Sequence, residues 1–104
     1  MSVTVILELQ AQRDKLEELK DGITAMVPDT LAYDGCGGIT MYQGQDDSNT
    51  IVLLEPWASQ AHHERYLAWR TERGDLAAVV AMLTGPPSIR YFNSVDTRAG
   101  VPKG

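Results

Sequence analysis

Val3, Val5, Leu7 and Leu9 alternate with Thr4, Ile6, Glu8 and Gln10 at the start of the chain. A period of two predicts a β-strand with one clearly apolar face, and Ile6 on the other face predicts that this side is partly covered as well. The period then lengthens. Leu16, Leu19, Ile23 and Met26 or Val27 recur at helical spacing opposite Lys15, Glu18 and Asp21, which predicts an amphipathic helix. Asp14 with Glu17 three residues on is its expected capping pair, and Pro28 its expected end. Asp29 to Gly38, with three glycines, reads as a loop entering a strand. Ile39, Met41 and Gln43 alternate with Thr40 and Tyr42. Asp46-Asp47-Ser48-Asn49 has turn chemistry, because short polar side chains bond their own backbone there. Ile51 to Glu55 is apolar on both faces, so it is expected at the centre of a sheet, in a hairpin with the strand before it.

Ser59 is a suitable N-cap for a second helix reaching about Arg70, with Gly74 interrupting it and Asp75 capping a further stretch. There Leu76, Val79, Val80 and Leu83 fall at i, i+3, i+4 and i+7, a core stripe that Gly85-Pro86-Pro87 stops. Ile89, Tyr91, Asn93 and Val95 alternate with Ser88, Arg90, Phe92 and Ser94 in a last strand. Thr97 to Gly104 is expected to be a loose tail, leaving one domain over residues 1–96. The order βαββαβ is that of a small α+β domain with a four-stranded sheet. Two helices cover one face of such a sheet. The other face carries Ile6 and one side of the Ile51–Leu54 run, and pairing two sheets face to face would bury it, so a homodimer is expected.

Composition narrows the partners. The 104 residues suffice for one domain, and 43% apolar content is ordinary for a globular chain. Nine Lys and Arg against fourteen Asp and Glu, a net charge of -5, disfavour nucleic acid and anionic membrane surfaces. No apolar run is long enough to cross a bilayer, and the N-terminus lacks the pattern of a secretory signal. Cys36 is the single cysteine, so neither an internal disulfide nor a thiolate zinc set is available. A reducing cytoplasm fits best.

Candidate chemistry gathers on the second helix. His62, Tyr66 and Trp69 share one face, and His63, Tyr66 and Arg70 form a neighbouring stripe. Buried phenol and imidazole groups need partners, so in a cleft they are candidates to orient a substrate hydroxyl. A His near neutral pKa is the natural base, His63 first and His62 second; either could equally be a solvated surface imidazole. Trp57, at a strand end, suits a pocket wall against a planar ligand or a packing residue fixing the helix entry. Trp69, Met82 and Tyr91 complete the candidate substrate-binding set with His62. Arg90 and Tyr91 lie on opposite faces of the last strand, one toward the pocket and one toward the sheet-sheet interface. Glu8 could act as a base or be a solvated or interface carboxylate. Adjacent His62 and His63 point apart and make no metal pair, and Asp46 with Asp47 is better explained as a turn than as a cation site. Gly35 to Gly38 precedes a strand and is no phosphate loop, and Cys36, without a basic neighbour, reads as inert.

The run Asp46 to Thr50, then Glu55-Pro56-Trp57-Ala58-Ser59, then His63 to Leu67 with Tyr66 seven positions after Ser59, resembles the antibiotic biosynthesis monooxygenase (ABM) domain family, which includes small quinol monooxygenases. The Gly35-Cys36 pair also fits, and the likeness spans roughly residues 3 to 95. It implies a dimeric ferredoxin-like α/β barrel with a pocket in each subunit. It also implies oxidation of phenolic or quinol-like compounds by molecular oxygen without metal or flavin, so no cofactor is expected. The position of Tyr66 is most often His in relatives. Haem-degrading relatives carry an Asn on the first strand, and none occurs between Val3 and Gln10, which argues against that activity. The leading expectation is thus a cofactor-independent monooxygenase acting on a small aromatic, with His63, Tyr66 and Trp57 in the catalytic set. The alternatives are a non-catalytic dimer binding a small apolar ligand, and a proton-transfer enzyme of isomerase or decarboxylase type with Glu8 or His63 as base.

Overall fold

The structure is a computed structural model that describes residues 2–96. The expected loose tail, residues 97–104, lies outside the described residues. Strand β1 spans Val3–Gln10, β2 Thr40–Gln43, β3 Thr50–Trp57 and β4 Ser88–Phe92; helix α1 spans Leu16–Ala32, α2 Gln60–Arg73 and α3 Asp75–Val80. The four strands form one sheet in the order β2-β3-β1-β4, with every neighbouring pair antiparallel. This is the ferredoxin-like α+β arrangement, and the hairpin of β2 and β3 and the central place of β3 follow the sequence pattern.

Alternation along β3 separates two faces. Ile51, Leu53, Glu55 and Trp57 are buried, while Val52, Leu54 and Pro56 are half-buried on the other side. The first row, with Val3, Val5 and Leu9 of β1, packs under the helices. One apolar cluster joins Leu9, Ile51 and Leu53 to Leu19, Ile23 and Leu83. A second joins Val3, Val5 and Trp57 to Tyr66.

Several boundaries differ from expectation. Asp14 and Glu17 make no capping box: a 3-10 turn over Arg13–Lys15 leads into α1, whose N-cap Lys15 has no side-chain cap bond. Pro28 does not end α1 but lies inside it. The helix interior tolerates it here because the bond it forfeits is to the carbonyl of Thr24, and both residues are exposed, so water can satisfy that oxygen. The continuation to Ala32 turns Thr30 inward, where it is buried.

Ser59 caps α2 as expected, its side chain accepting from the His62 N–H, a contact worth about 1 kcal/mol. The helix runs past Arg70 to Arg73 and stops at Gly74, whose φ of +82° is the left-handed conformation that glycine adopts without cost. Asp75 is the first residue of α3 and not its cap; its carboxylate is taken by Arg70 and Arg73 instead. Val80 is exposed and leaves the expected core stripe, and β4 ends at Phe92, before Asn93 and Val95.

Candidate active site

Strand register decides which side chains meet. Val5 pairs with Glu55 on one side and with Tyr91 on the other, so these three residues form one row across the helix-covered face. The start of α2 lies over this row. His63, fully buried, spans Val5: its Nδ1 is 2.8 Å from the Tyr91 hydroxyl and its Nε2 is 4.0 Å from Glu55 Oε1. Among the described residues Nε2 has no hydrogen-bond partner. Glu55 is itself buried, and its Oε1 accepts the indole N–H of Trp57 at 2.9 Å. Tyr91 therefore belongs to the helix side, and Arg90 to the open face of the sheet near Glu8, 4.0 Å away.

One turn further along α2, the Tyr66 hydroxyl accepts from Arg70 Nε at 2.9 Å and shares a 2.7 Å hydrogen bond with Thr30 Oγ1. Thr30 donates to the carbonyl oxygen of Met26 and accepts from the Arg70 guanidinium, so its one proton is used and the Tyr66 proton is directed at Thr30. Arg70 also donates to Asp75 at 2.8 Å and to the Met26 carbonyl. This network joins α1, α2 and α3 around a buried cation.

Between these groups lies a cavity walled mainly by apolar side chains, among them Leu9, Ile23, Leu53 and Val79. Its polar lining is Thr30, Glu55, His63 and Tyr66. Its volume is about 60 Å³, several times the ~10–15 Å³ that one water requires. Burial sets the chemistry of the lining. It pulls the His63 pKa down from 6.5 to about 4, so the imidazole is neutral at physiological pH. It pushes the Glu55 carboxyl above its ordinary 4.5, against the opposing effect of the Trp57 N–H bond, and it raises the Tyr91 phenol.

Of the residues singled out in the sequence, His63 and Tyr66 line the cavity. Trp57 stands behind it, in ring contact with His63 at 5.3 Å and Tyr66 at 5.1 Å, and reaches the lining through Glu55. Tyr91 touches the site through His63. Trp69 packs outside, against Tyr33 and between the guanidinium groups of Arg70 and Arg73, each 4.8 Å from its ring. Met82 packs against the first apolar cluster and is not among the cavity-lining residues. His62 faces away: its ring bonds Ser59 Oγ at 2.7 Å, lies 3.7 Å from Asp34, and covers Gly35.

Thr30 is a lining residue that the sequence does not point to, and Glu55 and Arg70, though they stand in the motif and the helix stripe, are not among the expected site residues. A signal for Glu55 existed, since it shares the parity of Ile51, Leu53 and Trp57. Asp47 makes the expected turn, accepting from Asn49 N and Gln10 Nε2, and Cys36 carries a thiol pushed up by burial. Among the described residues no group of three or more His, Cys, Asp or Glu stands close enough to hold a metal ion, and no helix is long and apolar enough to cross a membrane.

No curated protein matches the chain. Among solved structures, Rv0793 from Mycobacterium tuberculosis is similar at 25% identity and a TM-score of 0.81, covering 92% of this chain and 97% of that one. A conserved protein from Methanosarcina mazei Go1 is 16% identical with a TM-score of 0.82, covering 91% and 94%. A mutant of SnoaB, a cofactor-independent oxygenase from Streptomyces nogalater, is 18% identical with a TM-score of 0.79, covering 92% and 95%. The family model for antibiotic biosynthesis monooxygenase matches residues 2–71, two thirds of the sequence, a range that includes β3 with Glu55 and α2 as far as Thr71 with His63 and Tyr66. The chain belongs to the antibiotic biosynthesis monooxygenase family.

Proposed function

We propose that the protein is a cofactor-independent monooxygenase that oxidises a small quinol or phenolic compound with molecular oxygen, working as a homodimer in the cytoplasm. One observation carries this reading: a neutral, fully buried His63 and the buried carboxyl of Glu55 both line a largely apolar cavity, and the His63 Nε2 beside that carboxyl has no hydrogen-bond partner among the described residues. An apolar cleft with a few convergent polar groups suits a planar aromatic bearing a hydroxyl. Trp57 and Tyr66 supply its aromatic surroundings.

The protein's task is to take the hydroxyl proton in a buried, largely apolar site, with the base drawn from the His63–Glu55 pair. The electron-rich anion then transfers an electron to oxygen, and the radical pair joins to form a C–O bond. Loss of the proton on that carbon and cleavage of the O–O bond leave a carbonyl, with the second oxygen atom released as water. Hydroquinone plus oxygen thus becomes hydroxyquinone plus water, and no external reductant is consumed. The homodimer rests on the open sheet face, where Ile6, Val52 and Leu54 are half-buried and Tyr42 and Phe92 are exposed.

Oxygen uptake with a panel of hydroquinones is the test. Uptake above background that the wild-type protein shows and His63→Ala lacks is expected; a folded protein with no uptake across the panel refutes the reading. The closed hydrogen-bond set of Tyr66 favours a second reading, a ligand-binding module without turnover, because that phenol has no proton left for chemistry. A ligand retained through purification, with no oxygen consumed, would establish it.

A further inference from the structure

His63 has two ring nitrogens in unlike surroundings. Nδ1 meets the Tyr91 hydroxyl at 2.8 Å, and Nε2 lies 4.0 Å from Oε1 of Glu55, which lines the cavity with His63. In a neutral imidazole one nitrogen donates and the other accepts, and the partner of the first decides the role of the second. The phenol is the better donor of the Tyr91–His63 pair and the bare imidazole nitrogen the better acceptor, so Tyr91 donates to Nδ1. The ring proton then lies on Nε2. The opposite tautomer would turn the Nε2 lone pair toward the Glu55 carboxylate, two negative ends facing each other in a buried setting of low dielectric.

An N–H at Nε2 cannot take a proton. Resting on the phenol reading above, we infer that Glu55 is the proton acceptor of this site and that His63 is a neutral hydrogen-bond donor to the substrate oxygen, with Tyr91 as its positioning residue. Two atoms 4.0 Å apart can both be reached at hydrogen-bond length by a single hydroxyl oxygen. The substrate hydroxyl accepts from His63 Nε2–H and donates to the Glu55 carboxylate. When its O–H bond breaks, the proton passes to Glu55 and the electron pair stays on the substrate oxygen, held by the Nε2–H. A neutral imidazole in this role stabilises a developing oxyanion without releasing its own proton.

The charge states agree. Burial keeps His63 uncharged and the Tyr91 phenol protonated, and it raises Glu55 toward the range where a carboxylate is an effective base. The titratable groups facing the pair are Cys36 from the loop before β2, Tyr66 and Glu64 from α2, and Tyr91 from β4, while α1 contributes the hydroxyl of Thr30.

Two measurements test the assignment. Nitrogen-15 NMR of histidine-labelled protein at neutral pH is expected to show the His63 proton on Nε2, with Tyr91→Phe weakening that preference; a proton on Nδ1 with a bare Nε2 overturns the inference. Para-nitrophenol, whose absorption reports its own ionisation, is then added at a pH where the free compound is largely neutral. The wild-type protein is expected to hold it as the anion. Glu55→Gln, which keeps an oxygen for the Trp57 N–H, should lower the bound anion by about ten-fold or more, and His63→Gln should chiefly weaken binding. An anion band that survives in Glu55→Gln and vanishes in His63→Gln makes His63 the base. Absence of binding by the wild-type protein refutes the phenol reading itself, whereas the NMR result decides the direction of the His63 bond in either case.

Discussion

Arg70 Nε donates to the Tyr66 hydroxyl at 2.9 Å, from one turn of α2 to the previous one, and the same guanidinium reaches the Met26 carbonyl and Thr30 on α1 and Asp75 on α3. A buried cation with its donors distributed in this way fixes three helices relative to one another. Held in this way, the Tyr66 phenol is a structural strut on the cavity wall.

Arg70→Met should therefore cost about 2–3 kcal/mol of stability, since it leaves the Tyr66 and Thr30 oxygens short of donors in a buried setting. Denaturant unfolding with an unchanged slope measures this. A loss under half a kcal/mol would mean that the network contributes little.

Stability should depend on pH through His63. Its folded pKa of about 4 lies below the ordinary 6.5, so the unfolded chain binds a proton that the folded one refuses. The contribution is complete above 6.5 and is lost as pH falls toward 4, a difference of roughly 3 kcal/mol. His63→Gln should flatten the unfolding midpoint over this window. An unchanged slope there would show that the imidazole is solvated.

Glu55 acts with the opposite sign. Its folded pKa is raised, so ionisation above the ordinary 4.5 weighs on the folded state more than on the unfolded one. Glu55→Gln should raise the unfolding temperature at pH 7 relative to wild type, and the gain should vanish on acidification below 4.5. A variant less stable at pH 7 than wild type would contradict this.

Gly35 has φ of +91°, and a Cβ there would stand 2.5 Å from the His62 ring and 2.7 Å from His62 Cβ. The second contact involves an atom that rotation cannot move. Gly35→Ala should cost about 2 kcal/mol or more, from the left-handed backbone and the collision together. Thermal unfolding of Gly35→Ala alone and with His62→Ala checks this, with only partial recovery expected in the double variant.

On the open face of the sheet, Ile6 pairs with Leu54 and Arg90 across the strands. If two copies pair there, Ile6→Glu places a like charge on each side of the two-fold contact. Sedimentation should shift from dimer to monomer at micromolar protein. A wild-type protein that sediments as a monomer would refute the pairing.

Much of the fold was legible because backbone period is a local property. The parity of Val3, Val5 and Leu9, the two apolar faces of Ile51 to Leu54 and the Ser59 cap each speak from a few neighbouring residues. Pro28 misled because its cost depends on whether water reaches the Thr24 carbonyl, which the fold decides. Asp14 and Asp75 were plausible caps whose side chains had other fates, solvent for one and two arginines for the other. The site was legible in part. His63 and Tyr66 stood out on a helix face more polar than a plain core, whereas the Tyr66–Thr30 contact joins residues 36 positions apart and depends on α1 outlasting its proline. Glu55 carried its own sign, a carboxylate in a row of buried side chains, but a strand end near a turn conceals such a residue as surface.

The indole of Trp57 gives up its one N–H to Glu55, and that bond has an optical consequence. Indole emission responds to the charge and hydrogen bonding around the ring, so protonating Glu55 should change the fluorescence of Trp57 without any added dye. The sequence has two tryptophans, and Trp69, between two arginines at the outer edge, can be replaced by Phe to leave a single emitter. The protein so altered would report, in its own light, the protonation state of the carboxyl that lines its cavity.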